Sequence, residues 1–384
     1  MKARARGFTL VELMVALLLS MLLAIGLVKT QLKFGQQTAR NTSTAARDSQ
    51  LRAAVDLITQ DLSSAGFLFA GSQTTCNVLL TYNGTSSSYF VHHPVDSLAA
   101  SSGTTMPFAP TLTLTYPTGA GIASDVLVTT SSTNATNFND NLYPVAVVAP
   151  NASYTPMSNG ALQLASSIGA TSGDVGVLQV PVAGKQACLR VPLAVSGMVV
   201  TSSPGALMPG TYYAGFNGQL PGAGFTDVLS NANIYQGHMV DMGKPAAPLQ
   251  TTVAYYVDMA SGFPMLMRAT YSLLDDTAIG GPQSVAAGVV ALKVLFGVDP
   301  TNSGSITTYE TAANVTTNKH WDYVRSVTVA LVARTINNDP DTSYVGPTTI
   351  PLNPPFTSIT VPASGYHYVV QQTEIANRNV LLNK

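Results

Sequence analysis

Between residues 10 and 28 the chain reads LVELMVALLLSMLLAIGLV, a run in which Glu12 and Ser20 are the clearly polar residues. Crossing the hydrocarbon core of a bilayer as a helix takes roughly 20 apolar residues, so a run of this kind is long enough to span it. Lys2, Arg4 and Arg6 stand just before it, and the bias of basic residues toward the cytoplasmic side places the N-terminus there, although Lys29 and Lys33 on the far side weaken the asymmetry. Everything beyond the run is then expected on the opposite side of the membrane. A secretory signal would carry its small-residue cleavage site after the apolar run, where Ala24-Ile25-Gly26 is a poor version of one.

A better processing site lies ahead of the run. Gly7-Phe8-Thr9-Leu10-Val11-Glu12 follows directly on a short basic leader, and this order resembles the prepilin processing motif of type IV pilins and type II secretion pseudopilins. The resemblance implies that a membrane aspartyl peptidase cuts after Gly7 and methylates the new amine of Phe8. Glu12 has a physical case of its own, because a carboxylate in a membrane helix costs ~2.5–3.5 kcal/mol on insertion scales unless it is paired. A new amine on Phe8 would lie four residues away, one helical turn. It could pair with Glu12 in the same chain or in the next subunit as helices stack. The alternative is that Glu12, a turn from the interface, reaches water.

Beyond the membrane run the helical pattern continues. Leu51, Val55, Ile58 and Leu62 recur at spacings of an amphipathic helix, whose apolar side should pack on a globular domain. Gly35 and the polar stretch 41–44 are expected to bend or melt the middle of so long a helix. Gly66 is the expected stop.

From about residue 76 short β-branched and aromatic runs separated by Gly, Pro, Asn and Ser predict strands at 111–116, 125–129 and 177–182, and most clearly at 253–258, 265–271, 289–296 and 327–333. Alternation such as Val290, Leu292, Val294, Phe296 and Val327, Val329, Leu331 suits a sheet with one buried face. Between about 83 and 175 the drift to Ser, Thr, Asn, Ala and Gly predicts a loop-rich insertion. The expected organisation is therefore a leader at 1–7, a transmembrane helix at 8–28, its amphipathic continuation at 29–66 and a β-rich domain at 67–384. The fold class is α+β.

Three later stretches are similar to PilW-type minor pilins. They are Asp61-Leu62 with Ala65-Gly66-Phe67; then Gly288 through Gly297-Val298-Asp299, Tyr309, Ala312, Trp321, Val324-Arg325-Ser326-Val327 and Arg334; and finally Thr373-Glu374-Ile375 with Asn377-Arg378-Asn379. The resemblance implies a non-catalytic structural protein of the bacterial inner membrane, with its C-terminal domain periplasmic, that enters a pilus and takes a rare place such as the tip. A globular domain this large would collide with its copies if it were the repeating subunit of a thin filament. Implied partners are a prepilin peptidase, other minor and major pilins, the inner-membrane assembly platform and the lipid bilayer. Alternatives are a J-type pseudopilin of type II secretion, whose leader would look the same, and a signal-anchored periplasmic binding module or hydrolase.

Composition narrows the remaining classes. Hydrophobic residues make up 46% of the 384 and charged residues 10%, enough to bury a sizeable core. The formal net charge is −1, and loss of the three basic leader residues takes it to about −4, unsuited to neutralising phosphates, so no nucleic-acid partner is expected. Cys76 and Cys188 are the two cysteines. An oxidising compartment favours a bridge, worth ~4–5 kcal/mol in the chain-entropy account of so long a loop, with two separate buried thiols as the alternative.

His92, His93, His238, His320 and His367 show no zinc-type spacing with cysteine or carboxylates, although His238 and Asp241 would share a face if that region were helical. Neither a nucleophile elbow, nor a phosphate-binding glycine loop, nor a CxxC motif is present. No cofactor is expected. Asp299, Thr301, Ser303, Gly304, Ser305, Ile306 and Glu310 fall on the positions of a twelve-residue calcium loop, but with two carboxylates and strands on either side a plain glycine-containing connection is the preferred reading, and no metal is assigned.

Overall fold

The computed structural model of the chain describes residues 10–65, 95–99, 122–130, 251–259, 262–272, 278–339 and 343–376, together with the backbone of further strands between 70 and 250. Helix α1 runs unbroken over Leu10–Ser64, about 80 Å at 1.5 Å per residue. Its sequence contains no proline and is dominated by Leu, Ala, Met and other good helix formers in the first half. Polar side chains there fold back on the helix: Ser20 Oγ donates to Leu17 O, Thr30 Oγ1 to Gly26 O and Thr38 Oγ1 to Phe34 O, which satisfies their hydroxyls without water. The melting expected as one outcome at Gly35 and 41–44 does not occur, since helical structure continues through both. A propensity deficit of about 1 kcal/mol at a glycine is small beside the packing of the second half, where Arg47, Leu51, Ala54, Ile58 and Leu62 are buried. The helix ends at Ser64, with Ala65 N–H bonded to Leu62 O; Gly66, the expected stop, lies outside the described residues.

Two antiparallel sheets sit on that buried stripe. The first has strands β1 (Val95–Ala100), β2 (Ser124–Ser132), β3 (Gln250–Asp258), β4 (Met265–Ser272) and β5 (Gln283–Ala287), in spatial order β5-β4-β3-β2-β1. The second has β6 (Val289–Val298), β7 (Thr308–Glu310), β8 (Val324–Arg334) and β9 (Tyr368–Ala376), in order β7-β6-β8-β9. The four clearest expected strands are β3, β4, β6 and β8, each extended by one to three residues at one end or, for β8, at both. Strand β1 comes from the stretch 83–175 that composition assigned to loops, whereas β2 contains the strand expected at 125–129 within that stretch. Further strands in order Ala161–Gln163, Val199–Ser202, Lys185–Ser196, Val175–Val182, His238–Asp241 and Val145–Val147 form another sheet. Residues 238–241 are therefore extended, which removes the helical face imagined for His238 and Asp241.

One core joins helix and sheets. Leu51, Ala54, Ile58, Leu62 and Ala65 of the helix end meet Leu127, Val253, Tyr255 and Leu266 of the first sheet and Leu292, Val294, Phe296, Val327, Val329 and Leu331 of the second. The second sheet shows period two: Leu292, Val294 and Phe296 stand opposite Leu331, Val329 and Val327. The first sheet is buried on both faces, since Val126, Val128, Ala254, Tyr256, Ala269 and Tyr271 form a separate cluster on its far side.

A single residue connects the two sheets. Gly288 lies between β5 and β6 with φ 79°, donates its N–H to Pro264 O and accepts from Arg334 N. A Cβ there would lie 2.5 Å from Arg334 O, so a close approach and a left-handed backbone both require glycine. The β6 edge beyond β7 is capped by side chains of β2: Leu292 N donates to Ser124 Oγ at 3.0 Å and Val294 N to Asp125 at 2.9 Å. Burial raises the Asp125 carboxyl, against which the Lys293 charge and the Val294 N–H act.

Candidate assembly surface

The functional surface starts at α1. Residues 10–42 are exposed along their whole length, and Leu10, Val11, Leu13, Met14, Leu17, Leu18, Leu22 and Leu23 present apolar side chains all round the helix. A helix apolar on every side needs a lipid or protein environment. Its length and composition suffice to cross a membrane. Glu12 stands in the first turn, in an apolar stretch that carries no other acidic residue up to position 28. Gly7 and Phe8 lie outside the described residues.

The second half of α1 carries the head through polar anchors as well as the apolar stripe. Asp61, one turn from the helix end, accepts from Tyr255 Oη at 2.5 Å and from Arg268 Nε at 3.0 Å. Tyr255 and Arg268 stand opposite each other on β3 and β4, so neighbouring strands present both donors to one carboxylate. Burial first, and then the Asp61 charge, raise the Tyr255 hydroxyl far above its ordinary range. It stays a neutral donor. Nearer the membrane end, Arg40 pairs with Asp339 and Arg47 Nη1 donates to His367 O at 3.3 Å, while Gln50 Oε1 accepts from Ala287 N.

The loop 299–310 is held by its own atoms. Asp299 is buried and accepts from Ser303 N and Gly304 N, both at 2.8 Å, and from the Ser303 hydroxyl. Burial would raise its carboxyl, but these hydrogen bonds and Arg325 at 3.7 Å outweigh it and hold the group below the usual range. Glu310 instead meets His320 Nδ1 at 2.9 Å. The two carboxylates thus serve different partners, and among the described residues no group of three or more His, Cys, Asp or Glu could hold a metal ion. Trp321 packs edge-on against Phe296 at 5.3 Å, and its indole N–H donates to Thr316 Oγ1.

Cys76 lies outside the described residues. Of Cys188 the backbone alone is described, in parallel register with Leu79, three residues after Cys76. Sequence reasoning singled out Glu12 and the stripe from Leu51 onward but missed Arg40, Arg47 and Asp339. Arg47 is in phase with Leu51, Ala54 and Ile58, and carrying the stripe one turn back past its last apolar member would have found it. Asp339 has no local signal.

Comparison with known proteins places this architecture. The prokaryotic N-terminal methylation motif matches residues 2–28, and with the exposed apolar helix it makes the chain a membrane-anchored, pilus-associated pilin-like protein. The Type IV Pilus-assembly protein W family model matches residues 254–379. Over that part of the chain it is similar to PilW-type minor pilins. The second match covers the end of β3 and all of β4 to β9, most of the part of the head that forms the core with α1. No curated protein and no solved structure matches the chain.

Proposed function

We propose that this minor pilin helps to prime or cap a type IV pilus, acting by packing and not by catalysis. The observation that carries the reading is the pairing of a bare apolar helix with a head of more than 300 residues. The helix fits a filament core, whereas heads of this size would collide if every subunit carried one, which favours a rare terminal position. In this reading the N-terminus lies in the cytoplasm and the head in the periplasm. A prepilin peptidase removes residues 1–7 and methylates Phe8. Other minor and major pilins and the inner-membrane assembly platform are the partners.

Deleting the gene is expected to abolish or sharply reduce surface pili and twitching while secretion proceeds. Normal pili together with trapped exoproteins would instead favour a J-type pseudopilin. Mass analysis of the mature chain is expected to find methylated Phe8 as its first residue; an intact leader, or a start after Gly26, would remove the processing part of the proposal. Non-reducing peptide mapping is expected to recover Cys76 and Cys188 as one linked species, and two free thiols would refute the bridge.

A further inference from the structure

The middle of α1 is its poorest helical sequence. Gly35 lies within it, and 41–44 reads Asn-Thr-Ser-Thr, where short polar groups compete for the backbone and β-branching restricts rotamers. The helix nevertheless passes through both without a break. Arg40 and Arg47 bracket the weak tetrapeptide. Seven residues separate them, two turns, so both lie on one side of the helix.

Both arginines bind the same part of the head. Arg40 donates to Asp339 Oδ1, and Arg47 donates to His367 O. The Asp339 side chain is 1% exposed, a position in which an ionised carboxylate needs partners. It finds them in Arg40 and in His367, whose Nε2 meets Asp339 Oδ2. The His367 ring in turn stacks on Tyr344 at 4.2 Å. Backbone bonds from Asp339 N to Gly365 O, from Gly346 N to Ser364 O and from Thr335 N to His367 O tie the two loop segments together. This platform is fixed within the head and independent of the Asp61 anchor and the apolar stripe farther along α1.

We propose that Asp339 is the pin of a latch by which the head keeps the weak middle of α1 helical, so that releasing it lets the segment around 38–47 melt. The membrane-spanning half is then uncoupled from a head that stays folded. Such a joint would let the head turn relative to its helix as the subunit passes from bilayer to filament.

The test is amide hydrogen exchange on the full-length chain in detergent micelles, comparing the natural protein with Arg40→Gln and Asp339→Asn. Amides of 38–47 are expected to exchange about tenfold faster or more in each variant, while peptides from 51–62 and 324–334 stay within about twofold. Natural exchange rates over 38–47 in Arg40→Gln would overturn the proposal, and so would an equal acceleration along 51–62, which would make the pair a general stabiliser. The Arg40 side chain is 42% exposed on the helix surface, so Arg40→Gln folds and decides the matter even if Asp339→Asn does not. The exchange pattern is read from the molecule itself and stands apart from its place in the pilus.

Discussion

At Gly288 one residue decides whether β5 can leave one sheet and β6 begin the next. Its φ of 79° is strained for any side chain, and a Cβ would be driven into Arg334 O, backbone that cannot swing aside. Gly288→Ala is expected to destabilise the full chain by about 1–3 kcal/mol, read as a lower midpoint of denaturant unfolding in detergent; an unchanged midpoint would mean that the junction relaxes freely. Asp96 on β1 makes a different kind of prediction. Burial pushes its carboxyl up to about 7, against a partial lowering by the Ser97 N–H. The unfolded value is about 3.9, so the folded state holds the proton more tightly. Stability then falls as pH rises from about 4 to about 7 and stays lower above that. Asp96→Asn is expected to raise the unfolding temperature at about pH 8 and to leave it nearly unchanged at about pH 4. An equal change at both pH values would rule out ionisation as the cause. The sequence announces neither environment: Gly288 begins a stretch noted for its resemblance, but nothing marks it among 31 glycines as a left-handed junction, and the partial burial of Asp96 depends on β2 lying beside it.

At the scale of elements, helix and sheets are joined by a greasy stripe and by charges that end on it. Asp61 receives two donors, and its side chain and that of Arg268 are 15% and 23% exposed. Asp61→Ala is expected to cost about 2–4 kcal/mol, between a lost charged hydrogen bond and a stranded buried cation. Tyr255→Phe removes a single hydroxyl and is expected to cost about 1 kcal/mol. Chemical denaturation of the two variants checks the order; a larger loss in Tyr255→Phe would place the anchor in the tyrosine rather than in the ion pair. The strands differ in how openly the sequence announces them. β6 and β8 alternate because their inner residues face α1. In β3 the run Val-Ala-Tyr-Tyr-Val has no alternation, since Tyr255 enters the main core and Tyr256 the opposite cluster, and enrichment in β-branched and aromatic residues alone marks it. β1 was obscured by the Ser- and Ala-rich composition around it, although Ser97 is buried, whereas the core of β2 was legible at 125–129 and its extension through the buried Thr130 was not.

For the whole molecule, the apolar half of α1 and the head make separate demands on the surroundings, and Glu12 lies in the apolar part. Glu12→Ala is expected to leave membrane amounts normal or higher, because it relieves an insertion cost of up to ~2.5–3.5 kcal/mol. If Phe8 is the mature first residue, as proposed above, and Glu12 neutralises its amine in an adjoining subunit, incorporation into pili is expected to fall, because that cation is left unpaired among apolar helices. Both quantities are measurable by immunoblot of membrane and sheared-pilus fractions, and natural incorporation would show that Glu12 pairs with no neighbour. The sequence by itself determined the membrane helix, its first packing stripe and the principal late strands, because hydrophobic run length and periodicity are local quantities fixed by the geometry of helix and strand. Only the tertiary structure decided that α1 stays helical through its weak middle, that Asp61 meets Tyr255 and Arg268, and that Arg40 finds Asp339. Those outcomes depend on groups brought together by packing across some 200–300 positions of chain, a distance over which no local pattern carries information.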